Sequence, residues 1–399
     1  MMNIYTTNAE QYIAVRVSLV GELDQEKLLD SAPFAKGSIY RAIKELREAR
    51  VLLKHRYDDG RTFLRLSSLA AGYLTAVSPA LLANARCLVR DELKYSGSKA
   101  VRMRDRANYE FYGSCADMGI ALNGIRTEHS PKPLFEKGDG VRVEGTSVFS
   151  EEGSPAPFEE ICKVIDGGYT GFFTKKLIKK REDGEITHQG NRNSRITGTL
   201  IVSGQVYQTY ALSDPETAAW VPEAEFNAAN YITGCIQREA PYFRDKGILV
   251  DNRCILAFPS PESAAKMILQ PGNKALRIDP SRIYSASYIL PEYRLTDTVI
   301  RLLGIPDWRR YMASLLFPEG RRMGIADVVT QDTEVYNFIA CDINRIRQVE
   351  ARILQSDARM SLIIEPWMSP VIHKLFGRDN VEIVELGNEE LDILADSIL

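Results

Sequence analysis

The sequence predicts a chain of mixed α+β and α/β class, and three observations carry that reading. The first 75 residues give helical patterns closed by a hairpin pattern. Residues 78–122 hold two longer helical patterns. From residue 195 onward, strand-like and helix-like segments alternate. At 399 residues the chain can hold two or three domains with cores of their own. The expected division is 1–75, a helical connector over 76–128, and a mixed α/β domain over 129–399. Residues 129–157, rich in Gly, Pro, Ser and charge, form the boundary loop.

In the first segment, residues 6–23 space their apolar side chains at helical intervals. Asp24 stands as the N-cap of a short helix that includes Lys27 to Leu29. Over 32–51, Ile39, Ala42, Ile43, Leu46 and Ala49 form one apolar stripe. Tyr40, Arg41, Lys44 and Arg47 fall away from it. Two short strand patterns then flank the turn Asp58-Asp59-Gly60. Helix, helix, helix, hairpin is the order of a winged helix-turn-helix, whose third helix enters a DNA major groove.

Charge supports double-stranded DNA as the partner. The whole chain has a net charge of −3, which argues against nucleic-acid binding by its surface at large. Residues 31–65 nevertheless carry nine Lys or Arg against four acids. The candidate DNA-binding residues are Lys36, Ser38, Tyr40, Arg41, Lys44 and Arg47 on the third helix. Lys54, Arg56, Arg61 and Arg65 join them on or beside the wing, where phosphate contacts are expected. Tyr40, Arg41 and Lys44 could reach base edges. Glu45 and Glu48 dilute this face, and a solvated face of an interaction module is the competing reading.

Leu66 to Ala85 is an uncharged run long enough to be weighed as a membrane span. Its Ser67, Ser68, Gly72, Pro79 and Asn84 favour a strand end, a turn and an amphipathic helix, so no membrane is expected. The first dozen residues lack a basic region followed by an apolar core, which predicts no signal peptide. The six cysteines are scattered without a CxxC, as buried thiols of a cytoplasmic protein would be.

Residues 78–93 and 98–122 read as helices, the second with Ala107, Phe111, Cys115 and Met118 on one face. Lys99, Arg102, Arg104 and Arg106 crowd its start, where cations oppose the helix dipole. A phosphate partner or a solvated helix start would account for them. After Phe172-Phe173 comes a second basic patch, Lys175, Lys176, Lys179, Lys180 and Arg181, which could follow a DNA backbone or face solvent.

Residues 196–212 form a strong hairpin pattern turned at Ser203-Gly204. Strand-like segments at 247–258, 284–290, 335–342, 360–365 and 381–386 then interleave with helical ones at 262–269, 343–354 and 370–377. Such alternation implies βαβ units with partly parallel strands. Asp342 reads as the N-cap of the helix that follows it.

The chemistry of this half is marked by absences. The sequence has no phosphate-cradling P-loop, no glycine fingerprint after Cys341-Asp342 and no nucleophile elbow. His55, His129, His188 and His373 do not pair at metal-ligand spacing. No cofactor, metal ligand or catalytic residue is therefore assigned. A restriction-endonuclease-like nuclease would need carboxylates and a lysine at the ends of a core hairpin. The hairpin over 195–212 offers Arg195, Thr197, Gln205 and Gln208, with no acid until Asp214 and Glu216. It reads as a degenerate core of that kind.

The order of parts, with RMRDRANYEFYGSCADMGI over 102–120 between the first segment and the hairpin, resembles the replication-relaxation proteins of Gram-positive plasmids and integrative conjugative elements. The likeness covers about the first half of the chain. It implies a DNA-binding protein of a mobile genetic element, acting in replication, transfer or transcription control. It also implies protein partners in a conjugation or replication complex. The family's core hairpin carries a Pro-Asp and a downstream acid; residues 194–211 here have neither. A metal-dependent nicking enzyme and a ligand-responsive repressor are the alternatives, and a homodimer would match a two-fold DNA site.

Overall fold

A computed structural model describes residues 7–89, 92–95, 98–127, 149–151, 158–175, 194–213, 220–269 and 279–398. They show a mixed α+β architecture. The chain divides into two compact units, Met1–Lys163 with Thr170–Thr187, and Val164–Tyr169 with His188–Leu399.

The first unit begins with α1 (Asn8–Val20), whose start is fixed by a capping box between Thr7 and Glu10. Tyr12 through Val20 are all buried, so α1 is a central helix rather than a half-exposed one. Its one core cation, Arg16, pairs with Asp117. The helix stops at Gly21, whose φ is +99° and whose missing Cβ would lie 2.5 Å from the Tyr109 ring. Only glycine fits there.

Next come β1 (Glu22–Asp24), α2 (Gln25–Ser31), α3 (Lys36–Glu48), β2 (Leu52–Arg56) and β3 (Thr62–Leu66). Asp24 caps α2 as expected, accepting from the amides of Glu26 and Lys27 at 2.9 and 3.4 Å. The three strands form an antiparallel sheet in the order β1-β3-β2. No pattern in the sequence announces β1, because three residues are too few to display a period. The predicted α3 stripe is buried at Ile39, Ala42, Ile43 and Leu46. Ala49 departs from it: it ends the helix and is exposed.

The run from Leu66 to Ala85 becomes the end of β3, then α4 (Ala70–Val77) and most of α5 (Pro79–Leu88). Among the described residues no helix is long and apolar enough to cross a membrane. The next helix, α6 (Lys99–Asp117), is shorter than its pattern suggested. Gly119, at φ +69°, ends it, and residues 121–122 turn into a strand. That strand, β4 (Ala121–Leu122), pairs antiparallel with β5 (Ile125–Thr127) around Asn123-Gly124. Both turn residues have positive φ, +53° and +81°, as a tight hairpin requires. β5 pairs with β6 (Phe149–Glu151), α7 (Phe158–Asp166) follows, and β4 lies parallel to β7 (Gly171–Thr174).

A buried polar chain stitches this unit. The fully buried Asn123 donates to Asn84 Oδ1 at 2.7 Å, and its own Oδ1 accepts the Thr174 amide at 2.9 Å. Asn84 in turn donates to the Ser18 carbonyl at 2.9 Å.

The second unit opens with the predicted hairpin, β8 (Gly198–Val202) and β9 (Gln205–Ala211), turned at Ser203-Gly204 with φ of +48° and +78°. Then follow α8 (Pro222–Glu239), α9 (Pro241–Lys246), β10 (Arg253–Ala257), α10 (Pro261–Leu269) and β11 (Ala286–Leu290). β8 and β9 are antiparallel, whereas β9, β10 and β11 are parallel. The chain continues as α11 (Asp297–Leu303), α12 (Trp308–Leu316), β12 (Arg321–Met323), β13 (Ala326–Val329) and β14 (Thr333–Asn337). It closes with α13 (Ile343–Gln355), β15 (Arg359–Ile364), α14 (Ser369–Phe376), β16 (Val381–Glu385) and α15 (Asn388–Ile398). These five strands lie in chain order, β12 to β14 antiparallel and β14 to β16 parallel. The unit thus uses one plan twice: an antiparallel hairpin whose second strand is extended by two helix-linked parallel strands.

Candidate nucleic-acid interface

The α3 helix turns its charged face outward because its four apolar residues occupy the other. Lys36, Ser38, Tyr40, Arg41, Lys44 and Arg47 are all exposed, Tyr40 at 54%. Lys36 pairs with Asp30 at 2.8 Å and Lys44 approaches Glu48 at 3.8 Å, both pairs in solvent. Such pairs are weak and exchange readily for a phosphate. Among the described residues, no carboxylate lies within ion-pair distance of Arg41 or Arg47.

A left-handed residue, Arg50 at φ +58°, joins α3 to the hairpin, with the Val51 amide bonded to the Leu46 carbonyl at 2.8 Å. On β2, Lys54 and Arg56 are exposed, and Arg56 Nε reaches the Gly60 carbonyl at 3.3 Å. The other two hairpin cations are held internally. Arg61 sits 3.1 Å from Asp59, 3.4 Å from Glu110 and 3.8 Å from Asp24. Arg65 is half-buried, 3.9 Å from Glu22 and stacked over the Tyr95 ring at 5.0 Å.

The basic start of α6 has intramolecular partners as well. Lys99 binds Asp58 at 2.6 Å, and Arg106 binds Asp59 at 2.9 Å and Glu110 at 3.0 Å. Arg106 also lies over the Tyr57 and Phe63 rings. These cations therefore fasten the hairpin turn to α6, where the sequence offered a phosphate partner or solvent. Nine of the ten predicted positions are exposed: Lys36, Ser38, Tyr40, Arg41, Lys44, Arg47, Lys54, Arg56 and the ion-paired Arg61; Arg65 is the half-buried one.

Beneath the hairpin, Tyr57 donates to the buried Glu22 at 2.6 Å. Burial raises the Glu22 carboxyl above its ordinary pKa, more than the Tyr57 hydrogen bond and Arg65 lower it. Glu22 thus binds its proton more tightly folded than unfolded, and its contribution to stability is lost as pH rises through the folded value. Glu22→Gln is expected to raise the melting temperature near about pH 7, and the gain should fade toward about pH 4. Melting curves at the two pH values check this. A loss at the higher pH would mean that the Arg65 pair outweighs desolvation.

In the second basic patch, Lys175 follows directly on β7. Lys176, Lys179, Lys180 and Arg181 lie outside the described residues.

Thr197, Thr199, Gln205 and the Gln208 carbonyl oxygen of the 195–212 hairpin are engaged internally. Thr197 Oγ1 accepts the Ala211 amide at 2.9 Å, Thr199 donates to Gln208 at 3.0 Å, and Gln205 accepts from Arg253 at 3.0 Å. Asp214 and Glu216 lie outside the described residues. Glu225, in the first turn of α8, is fully buried and accepts from Ser194 Oγ at 2.8 Å and the Arg195 amide at 2.7 Å. Its only signal in the sequence is an acid in the first turn of a helix opened by Pro222, which does not single it out. Among the described residues, no group of three or more His, Cys, Asp or Glu is placed to hold a metal ion. Asp342 caps α13 as expected, accepting the Asn344 amide at 3.1 Å.

Compared with family models, curated proteins and solved structures, the chain finds no match.

Proposed function

We propose that residues 8–66 are a winged helix-turn-helix and that the chain binds double-stranded DNA through it. The observation that supports this most is the outward face of α3, where Lys36, Arg41, Lys44 and Arg47 surround the exposed Tyr40. The element order and the β1-β3-β2 sheet suit the motif, with α3 as the groove-reading helix and β2-β3 as the wing. Lys54 and Arg56 would take phosphates beside it. Arg61, Arg65, Lys99 and Arg106 would brace the wing from behind.

The setting on a mobile genetic element rests on the resemblance to replication-relaxation proteins; conjugation or replication genes beside this one would support it, and their absence would count against it. DNA binding itself is tested by mobility shift. A labelled duplex at about 50 mM salt should be retarded and then released by excess unlabelled duplex or by about 200 mM salt. An unshifted duplex at low salt overturns the proposal.

A further inference from the structure

The second unit contains a cavity of about 250 Å³ that the sequence did not announce. Four arginines line it: Arg253 from β10, Arg309 and Arg310 from α12, and Arg345 from α13. Tyr288 from β11 and the α13 cap Asp342 also line it. The lining also includes acids, so formal charge alone does not select a ligand. The hydrogen-bond balance does.

Both buried carboxylates are held by donors of the chain itself, Asp327 through Oδ2 alone. Asp327 accepts from the Asn337 amide and from Arg345, both at 2.7 Å. Asp342 Oδ1 accepts the Ser287 amide at 2.9 Å and the Asn344 amide at 3.1 Å, while Oδ2 accepts from Arg309 at 2.9 Å. Asp251 is held by Arg253 at 2.7 Å and Ser285 at 2.5 Å. Asp307 is exposed to solvent.

The guanidinium groups are not saturated. Each has five N–H donors. Among the described residues, the buried Nε atoms of Arg309 and Arg345 have no hydrogen-bond partner. Among the described residues the Arg310 side chain reaches only the Gly324 carbonyl, at 3.4 Å. Arg309 is 16% exposed at its side chain and is held over the Tyr288 ring at 5.0 Å, so its orientation is fixed. These two Nε atoms are sealed from solvent, so a ligand in the cavity would meet the outer N–H groups of the arginines. The thirteen-residue helix α13 also starts here, and its positive end adds to the same bias.

We propose that this cavity binds the phosphate group of a phosphate ester. A phosphate brings several acceptor oxygens and suits planar arginine forks better than a single carbonyl would. The cavity has room for atoms attached to the phosphate, carried either by a small free ester or by the 5′ end of a nucleic-acid strand. The proposal does not depend on α3, so failure of one leaves the other standing.

The test is calorimetric titration of the full chain with inorganic phosphate, adenosine 5′-monophosphate, and a short oligonucleotide with and without its 5′-phosphate. Saturable binding is expected, weakened about tenfold in Arg310→Ala and less in Arg310→Lys. Arg310 has no carboxylate partner among the described residues, so the fold should persist; Arg310→Gln and a melting curve guard that point. Tighter binding of the monophosphate than of inorganic phosphate identifies the free ester as the source. Preference for the phosphorylated oligonucleotide over its unphosphorylated twin identifies the strand end. Absence of saturable binding by every probe at millimolar concentration overturns the proposal, as does binding that all Arg310 variants leave unchanged.

Discussion

Replacing Arg41 and Lys44 together with alanine is expected to weaken duplex binding by at least about tenfold. Both side chains are exposed on α3, and Arg41 has no carboxylate within ion-pair distance among the described residues. Each would give up a charge-assisted bond to a phosphate or base edge, and the salt slope shrinks by about one for every phosphate no longer neutralised. The double substitution should therefore flatten the salt dependence by about two units as well as lowering affinity. Because neither side chain packs against the core, folding stability should stay within about 0.5 kcal/mol. Anisotropy titrations beside melting curves separate the two effects. Lys179→Ala with Lys180→Ala should cost less; equal losses would show that the interface is misplaced.

Asn123→Ala is expected to destabilise the first unit by about 3 kcal/mol or more, the largest effect on folding expected of any single substitution proposed. Three losses coincide. The Thr174 amide and Asn84 Oδ1 lose their buried partner, at about 1–3 kcal/mol each. Alanine must also adopt φ near +53°, which costs about 1–2 kcal/mol and which asparagine tolerates better. Asn123→Gly relieves only the backbone strain and should recover about 1 kcal/mol. Urea titrations of the three proteins give the comparison. A loss below about 1 kcal/mol for the alanine variant would mean that the Asn84-Asn123-Thr174 chain does not hold the unit together.

The sequence reveals what local chemistry encodes. The Ile39-Ala42-Ile43-Leu46 stripe, the Asp24 and Asp342 caps and the Ser203-Gly204 turn are patterns within a few residues, and each stands where expected. The alternation beyond residue 195 likewise gives parallel βαβ strands. What escaped is either too short or too distant. β1 is three residues long, and the Asn123-Gly124 turn hides behind a helical pattern that overran Gly119. Arg61, Lys99 and Arg106 look available in sequence because Glu110, Asp58 and Asp59, respectively, reach them only through folding. The arginine cavity draws Arg253, Arg309 and Arg345 from three separate elements, and no spacing rule links them.

The most direct test of the central claim is an anisotropy titration of a labelled duplex with the full chain across a salt series. Lys36, Arg41, Lys44, Arg47, Lys54 and Arg56 together would release counterions from up to about six phosphates. The logarithm of affinity should then fall linearly with the logarithm of salt, with a slope of about −4 to −5. A slope near zero, or no binding at low salt, would contradict a DNA-reading α3.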